Sequence, residues 1–280
     1  MQFHYRIKIK IAIHGMVRSI QDRLAAECLI TRPLTRLSAI DFYAIILLRY
    51  PCKEVQMQEI TALYNSSLGA YNRLAPTYGL KDGVEIINED LARSFVTMLP
   101  PHGRVLDLGC GPGQYSRYFA SQGYDVEAVD NSPAMIEELH RRGASTKVTA
   151  RCLDMRQLDY NGSFVGVFAL ASLIHLRQED LPAVLASIHA ALVPGGAFLA
   201  NFAISDQGLR FERLTATDYA RSGRFFQHYK TIDIPRRMLE KAGFRIDRID
   251  IRIVRPMLSD GTRGYTEWAN FMGMSTNYNT

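Results

Sequence analysis

Three alternate glycines behind a carboxylate carry the clearest chemistry in this chain. The run Asp107-Leu108-Gly109-Cys110-Gly111-Pro112-Gly113 follows the apolar pair Val105-Leu106. Glycine at 109, 111 and 113 removes the Cβ from the turn. The backbone can then take positive φ, and a ligand can lie against the main chain at the positive end of a helix starting near residue 114. Seventeen residues after Gly113, the alternating segment Asp125-Val126-Glu127-Ala128-Val129 ends in Asp130, where a carboxylate can hold a ribose diol by two hydrogen bonds. Two strand ends would thus face one nucleotide-like ligand. Further on, His175 follows a fourth apolar strand and is the best-placed proton acceptor, because a neutral imidazole titrates near physiological pH. A lone histidine suits substrate contact or a helix-end hydrogen bond equally well.

The elements that must position these residues alternate along the chain. Strands are predicted at 104–108, 125–130, 147–152, 164–170 and 197–204, with helices near 114, from 133 and over 179–192. Ser132 and Pro133 are the N-cap and first residue of the second helix. Leu192-Val193-Pro194-Gly195-Gly196 breaks the third helix and opens the fifth strand. Such alternation requires a parallel sheet with helices on both faces. A helix is also predicted over Val84–Leu99, and a stripe from Ile60 to Tyr78 has helical spacing until Pro76. The insertion Ser205–Ile232 lies beyond the fifth strand, where acceptor loops gather; Arg224 and Tyr229, within a possible strand Gly223–Tyr229, are its candidate substrate contacts.

The turn spacing is G-x-G-x-G, not the G-x-G-x-x-G of dinucleotide enzymes. Together with Asp130, the Asp154-Met155 pair, the Ala171-Ser172-Leu173-Ile174-His175 segment and the L-V-P-G-G turn, it makes residues 71–274 resemble a class I S-adenosylmethionine-dependent methyltransferase with a small-molecule acceptor. The resemblance implies an α/β fold with a doubly wound, mostly parallel seven-stranded sheet. Phe244–Val254 and Tyr265–Gly273 would form its antiparallel edge hairpin. It implies that Asp107 and the backbone at Gly109, Gly111 and Gly113 cradle the methionine portion of the cofactor, S-adenosylmethionine, and that Asp130 binds the ribose. Asn131 and Met135 would flank the adenine, Asp154 with Met155 would meet its edge, and Leu170 would offer a carbonyl to the ammonium. Tyr71 or Tyr78 would close over the sulfonium, although core packing explains those tyrosines equally well. One position departs from the family, with Val165 where an acid is common near the start of the fourth strand. No catechol-type metal set is visible, so no metal is expected.

Composition bounds the remaining possibilities. Residues 1–56 hold nine Lys or Arg against four Asp or Glu, and residues 57–280 hold 24 of each, so the net charge of +5 lies in the N-terminal extension. A neutral catalytic domain over 57–280 favours a small acceptor over nucleic acid. The extension reads as a substrate-covering subdomain, a targeting segment, or sequence upstream of a start at Met57. The longest apolar run, Phe42–Leu48, is too short to span a membrane. The cysteines at 28, 52, 110 and 152 show no metal or C-x-x-C spacing, as in reduced cytoplasmic proteins. A tRNA-modifying methyltransferase, a non-catalytic cofactor-binding protein and a nicotinamide dehydrogenase are the alternatives.

Overall fold

The computed structural model describes residues 67–143, 145–205, 209–213, 223–254 and 266–276, all within the unit Ala62–Thr280. The basic extension lies outside the described residues. After a helical stretch over 67–74 come β1 (Leu80–Lys81), β2 (Val84–Glu85), α1 (Glu89–Val96), β3 (Arg104–Leu108), α2 (Gln114–Ser121) and β4 (Asp125–Asp130). Then follow α3 (Pro133–Arg141), β5 (Val148–Cys152), a 3₁₀ turn Met155–Gln157, β6 (Phe164–Ala169) and a second 3₁₀ turn Leu173–His175. The chain continues through α4 (Leu181–Ala191), β7 (Leu192–Ile204), β8 (Leu209–Arg213), β9 (Gly223–Tyr229), α5 (Asp233–Lys241), β10 (Phe244–Val254) and β11 (Thr266–Ser275).

Seven strands lie side by side in the order β5-β4-β3-β6-β7-β11-β10. The first five are parallel, β11 runs antiparallel to β7, and β10 runs antiparallel to β11, as the doubly wound reading requires. β9 adds a short parallel pairing to the end of β7 through Ala203 and Ile204, and β8 pairs with β9 as a hairpin. The sheet order reverses between β3 and β6, and in such sheets the crevice at the carboxyl ends beside that reversal receives ligands. Both the glycine turn, which follows β3, and Leu170–His175, which follows β6, open into it.

Side-chain alternation places one apolar layer on each face of the sheet. Leu106 and Leu108 of β3 pack with Leu181, Leu185 and Ile188 of α4. Val105 joins Phe95 of α1 and Phe119 of α2 on the other face. β7 is buried almost continuously from Ala197 to Ile204, which suits a central strand covered on both sides. Edge strand β10 instead leaves Ile251 and Ile253 more than half exposed.

Two predicted boundaries are corrected. The helix expected over Val84–Leu99 is a two-strand hairpin followed by the shorter α1. Asp82 and Gly83 both take positive φ (53° and 79°), the conformation a tight hairpin needs and an Asp-Gly pair accommodates. Asn88 then caps α1 by accepting from the Leu91 N–H at 3.3 Å. β7 begins at Leu192 instead of 197, because Pro194-Gly195-Gly196 forms an irregularity carried within the strand: Phe164 pairs with Leu192 and Gly166 with Ala197. The part of the helical stripe before residue 67 lies outside the described residues. No helix among the described residues is long and apolar enough to cross a membrane.

Candidate active site

The glycine turn is bound into the sheet edge by its own main chain. The N–H groups of Gly109 and Cys110 both donate to the Val129 carbonyl, at 2.7 and 3.0 Å, which bends the chain across the end of β4. Asp130, one residue on, accepts from the Gly111 N–H through Oδ2 (2.9 Å) and from the Ser132 N–H through Oδ1 (2.8 Å). The carboxylate borders the cavity, where it can also accept from a ligand hydroxyl. Burial pushes the Asp130 carboxyl up, opposed by those N–H bonds.

A cavity of about 330 Å³ opens over this turn. The three glycines divide the work. A Cβ on Gly109 (φ 77°) would stand 2.3 Å from the Ser172 Cβ, so this glycine lets the β3 and β6 loops meet. A Cβ on Gly111 (φ 54°) would lie against the Tyr78 ring at 3.6 Å, an ordinary contact distance, and Gly111 borders the cavity. A Cβ on Gly113 would strike Leu139 at 2.6 Å; this residue serves packing of α2 against α3 and does not line the cavity. Asp107 is likewise displaced from the role expected of it. It is buried beneath the turn, accepts from Ser116 Oγ at 2.5 Å, and is pushed by desolvation to about 7.

Asp130, Asn131, Met135, Met155 and Leu170 line the cavity. Asp154 does not: its carboxylate caps the 3₁₀ turn at the Arg156 N–H (3.0 Å) and pairs with the Arg156 guanidinium at 2.5 Å. Tyr229, expected at the acceptor, is buried in the core with its ring against Phe202, because that face of β9 turns inward. Arg224 falls on β9, and its side chain lies outside the described residues.

Opposite the glycine turn stands an aromatic wall. Tyr71 Oη lies 2.8 Å from His175 Nε2, with their rings 5.1 Å apart, and Tyr71 meets Tyr78 edge to face at 5.8 Å. All three residues line the cavity. Phe226 of β9 backs His175 with ring centroids 5.0 Å apart.

Several residues at the cavity escaped sequence reasoning. Ser172, 4% exposed, has its Oγ buried without a hydrogen-bond partner among the described residues, and the Gln114 Oε1 is in the same condition; both residues line the cavity. Buried orphan acceptors are costly unless a ligand satisfies them. Ala171 takes φ 54°, rare for a residue with a side chain, and its N–H donates at 2.6 Å to Oδ1 of Asn201, buried within β7. A polar Asn inside the apolar run of β7 was the available signal.

Residues 105–196 match a family model described as a methyltransferase domain. That match spans the glycine turn, Asp130 and the β6 loop together. The chain carries a class I S-adenosylmethionine-dependent methyltransferase domain. A structure of a methyltransferase from Methanosarcina mazei shares the fold, with a TM-score of 0.55 at 15% identity over 69% of this chain and 99% of that one. A carboxy-S-adenosyl-L-methionine synthase of Vibrio parahaemolyticus is 37% identical over 117 residues, which is 39% of this chain and 46% of that protein. A malonyl-[acyl-carrier protein] O-methyltransferase of Pectobacterium atrosepticum is 27% identical over 177 residues, 61% of this chain and 64% of that protein. The chain therefore spans between about half and two thirds of these curated relatives.

Proposed function

We propose that this methyltransferase domain binds S-adenosylmethionine in the cavity and transfers its methyl group to an oxygen or nitrogen of a small-molecule acceptor. The observation that carries the reading is that the Asp130-bound glycine turn and the Tyr71–His175 pair line one cavity. The residues present fit the cofactor. Gly111 brings a bare main chain to the cavity edge, the Asp130 carboxylate borders it as a ribose diol would require, and the buried Ser172 hydroxyl and Gln114 carbonyl could each bond a ligand. Met135 and Met155 would give the adenine an apolar bed, and Leu170 would offer a main-chain carbonyl to the ammonium. When bound, the cofactor supplies an activated methyl group on a sulfonium.

The chain's own residues then have a modest task. Alignment of the acceptor and exclusion of water can supply much of the rate. Tyr78 and Tyr71 close the cavity from the strap formed by residues 67–80. Tyr71 donates its hydroxyl proton to His175 Nε2 across their 2.8 Å contact, and both residues border the cavity. An acceptor O–H or N–H then gives its proton to Tyr71 Oη while Tyr71 passes its own to His175 Nε2. Phe226 holds the imidazole from behind, so the pair keeps its geometry.

The deciding experiment is calorimetric titration of the full chain with S-adenosylhomocysteine, followed by an assay of S-adenosylhomocysteine release against a panel of hydroxyl and amine acceptors. Micromolar binding and turnover of at least one acceptor are expected. A folded protein that gives no binding heat would end the reading at its first step.

A further inference from the structure

The strap that brings Tyr71 and Tyr78 over the cavity has few apolar anchors on its outer half. Residues 76 and 77 are exposed, yet the turn after the helical stretch 67–74 is closed by bonds from Ala75, Thr77, Tyr78 and Leu80 to carbonyls three or four residues earlier. One side chain holds this turn to α3 by three hydrogen bonds. Arg142, at the C-terminal cap of α3, is only 8% exposed and directs its whole guanidinium at the strap and its neighbours. Nη1 donates to the Tyr78 carbonyl (2.9 Å), and Nη2 donates to the carbonyls of Ala75 (3.1 Å) and Pro76 (3.3 Å). Nε is held by Glu138 at 2.7 Å, one helical turn back, and Nη1 also reaches Glu85 of β2 at 3.3 Å.

The planar fork matters here. Carbonyls at three positions around one turn are gathered by donors in a fixed arrangement, which an ammonium point charge does not reproduce. The same helix carries ligand-facing residues at its other end. Ser132 and Met135 line the cavity, and Ser132 Oγ binds Asn72 Oδ1 at 2.6 Å, fastening the strap at a second point. α3 is thus a rigid bar joining the cofactor wall to the strap.

We infer that Arg142 is a positioning residue: it touches no ligand, and it clamps the 75–78 turn to α3 so that Tyr71 and Tyr78 stay over the cavity and retain a bound cofactor. Its bearing on cofactor retention rests on the proposed function; the clamp itself does not.

The test uses the full chain in three forms, Arg142→Gln, Arg142→Lys and the control Arg141→Gln. Arg141 spends its guanidinium on the same Glu138 (2.6 and 2.7 Å) and is largely exposed. In hydrogen exchange without ligand, the amides of Ala75, Thr77, Tyr78 and Leu80 should exchange at least tenfold faster in Arg142→Gln, while those of Val105 and Leu106 in β3 keep their wild-type rates. Arg142→Lys should fall between, and Arg141→Gln should match wild type. Should the glutamine variant fail to fold, the lysine variant carries the comparison. Unchanged strap exchange, or equal acceleration in β3, would overturn the clamp. In stopped-flow binding of S-adenosylhomocysteine, Arg142→Gln should release the ligand at least tenfold faster with an association rate within threefold of wild type. An unchanged release rate overturns the role in retention. Absence of any wild-type binding overturns the proposed function and this retention role, and leaves the exchange result to decide the clamp.

Discussion

The two walls of the cavity are held by different kinds of bond. On the glycine-turn wall, the N–H groups of Gly109 and Cys110 bond to the Val129 carbonyl of the adjacent parallel strand, and Asp130 adds a single side chain, its carboxylate accepting from the Gly111 N–H. On the aromatic wall, Tyr71, Tyr78, His175 and Phe226 come from a strap, a 3₁₀ turn and a strand outside the main sheet order, and side-chain contacts alone bring them together. A wall made of backbone tolerates many side chains and changes slowly. A wall made of side chains can be re-specified by a few substitutions, which suits a family that keeps one cofactor and varies its acceptor.

The largest expected effect tests the aromatic wall. Once an acceptor is known, His175→Ala and Tyr71→Phe should each lower turnover by about 100-fold or more, and the double variant should lose little beyond the worse single one, as for groups that act as a unit. Affinity for S-adenosylhomocysteine should stay within about threefold in both if the walls are independent. Additive losses would show that the two residues do not share one proton path.

Next comes the glycine-turn wall. Gly111→Val should weaken S-adenosylhomocysteine by on the order of 3 kcal/mol, since a β-branched side chain at φ 54° is strained and projects into the cavity. Gly113→Ala should leave most of the affinity and destabilise the fold by about 1–3 kcal/mol, through the clash with Leu139. Thermal melts and calorimetry on the pair would expose a turn that works as one unit if both variants lost the same property.

Asp130→Ala should cost about 1–3 kcal/mol of cofactor affinity, the range for charge-assisted hydrogen bonds. An unchanged dissociation constant in a folded variant would remove the ribose role.

The smallest effect concerns pH. Asp107 is raised from 3.8 to about 7 by burial, so the folded protein holds a proton that the unfolded chain releases between those values. Stability should therefore fall as pH rises from 4 to 7, the opposite of a salt-bridged carboxylate. Asp107→Asn should melt a few degrees above wild type near pH 8 and alongside it near pH 4. A constant difference across that range would place the cause elsewhere.

Much of this architecture was legible because its signals are local. Strands at 104–108, 125–130 and 164–169 show apolar runs bounded by turn residues, and the glycine turn with Asp130 announces the cofactor wall. The Val84–Leu99 helix failed where an Asp-Gly turn outweighed apolar spacing. Roles that depend on depth were harder. Asp107 and Gly113 sit in the same motif as Gly111, and sequence gives no measure of which of them faces outward. Tyr229 and Phe226 are three residues apart on one strand, and the choice of face was set by the pairing of β9 with β7, a long-range event. Arg142 and Asn201 stand in no motif, and Ser172, though inside the matched Ala171–His175 segment, had no role assigned there; their importance comes from what surrounds them after folding.

The bend at Ala171 also bears on how this protein could be improved. Glycine there would adopt φ 54° without the cost an alanine incurs, so a screen for heat resistance would favour Ala171→Gly. The same change would widen the conformations open to the segment that carries Leu170 and His175. Robustness and turnover are set against each other at one methyl group, and a library selected for the first should drift away from the second.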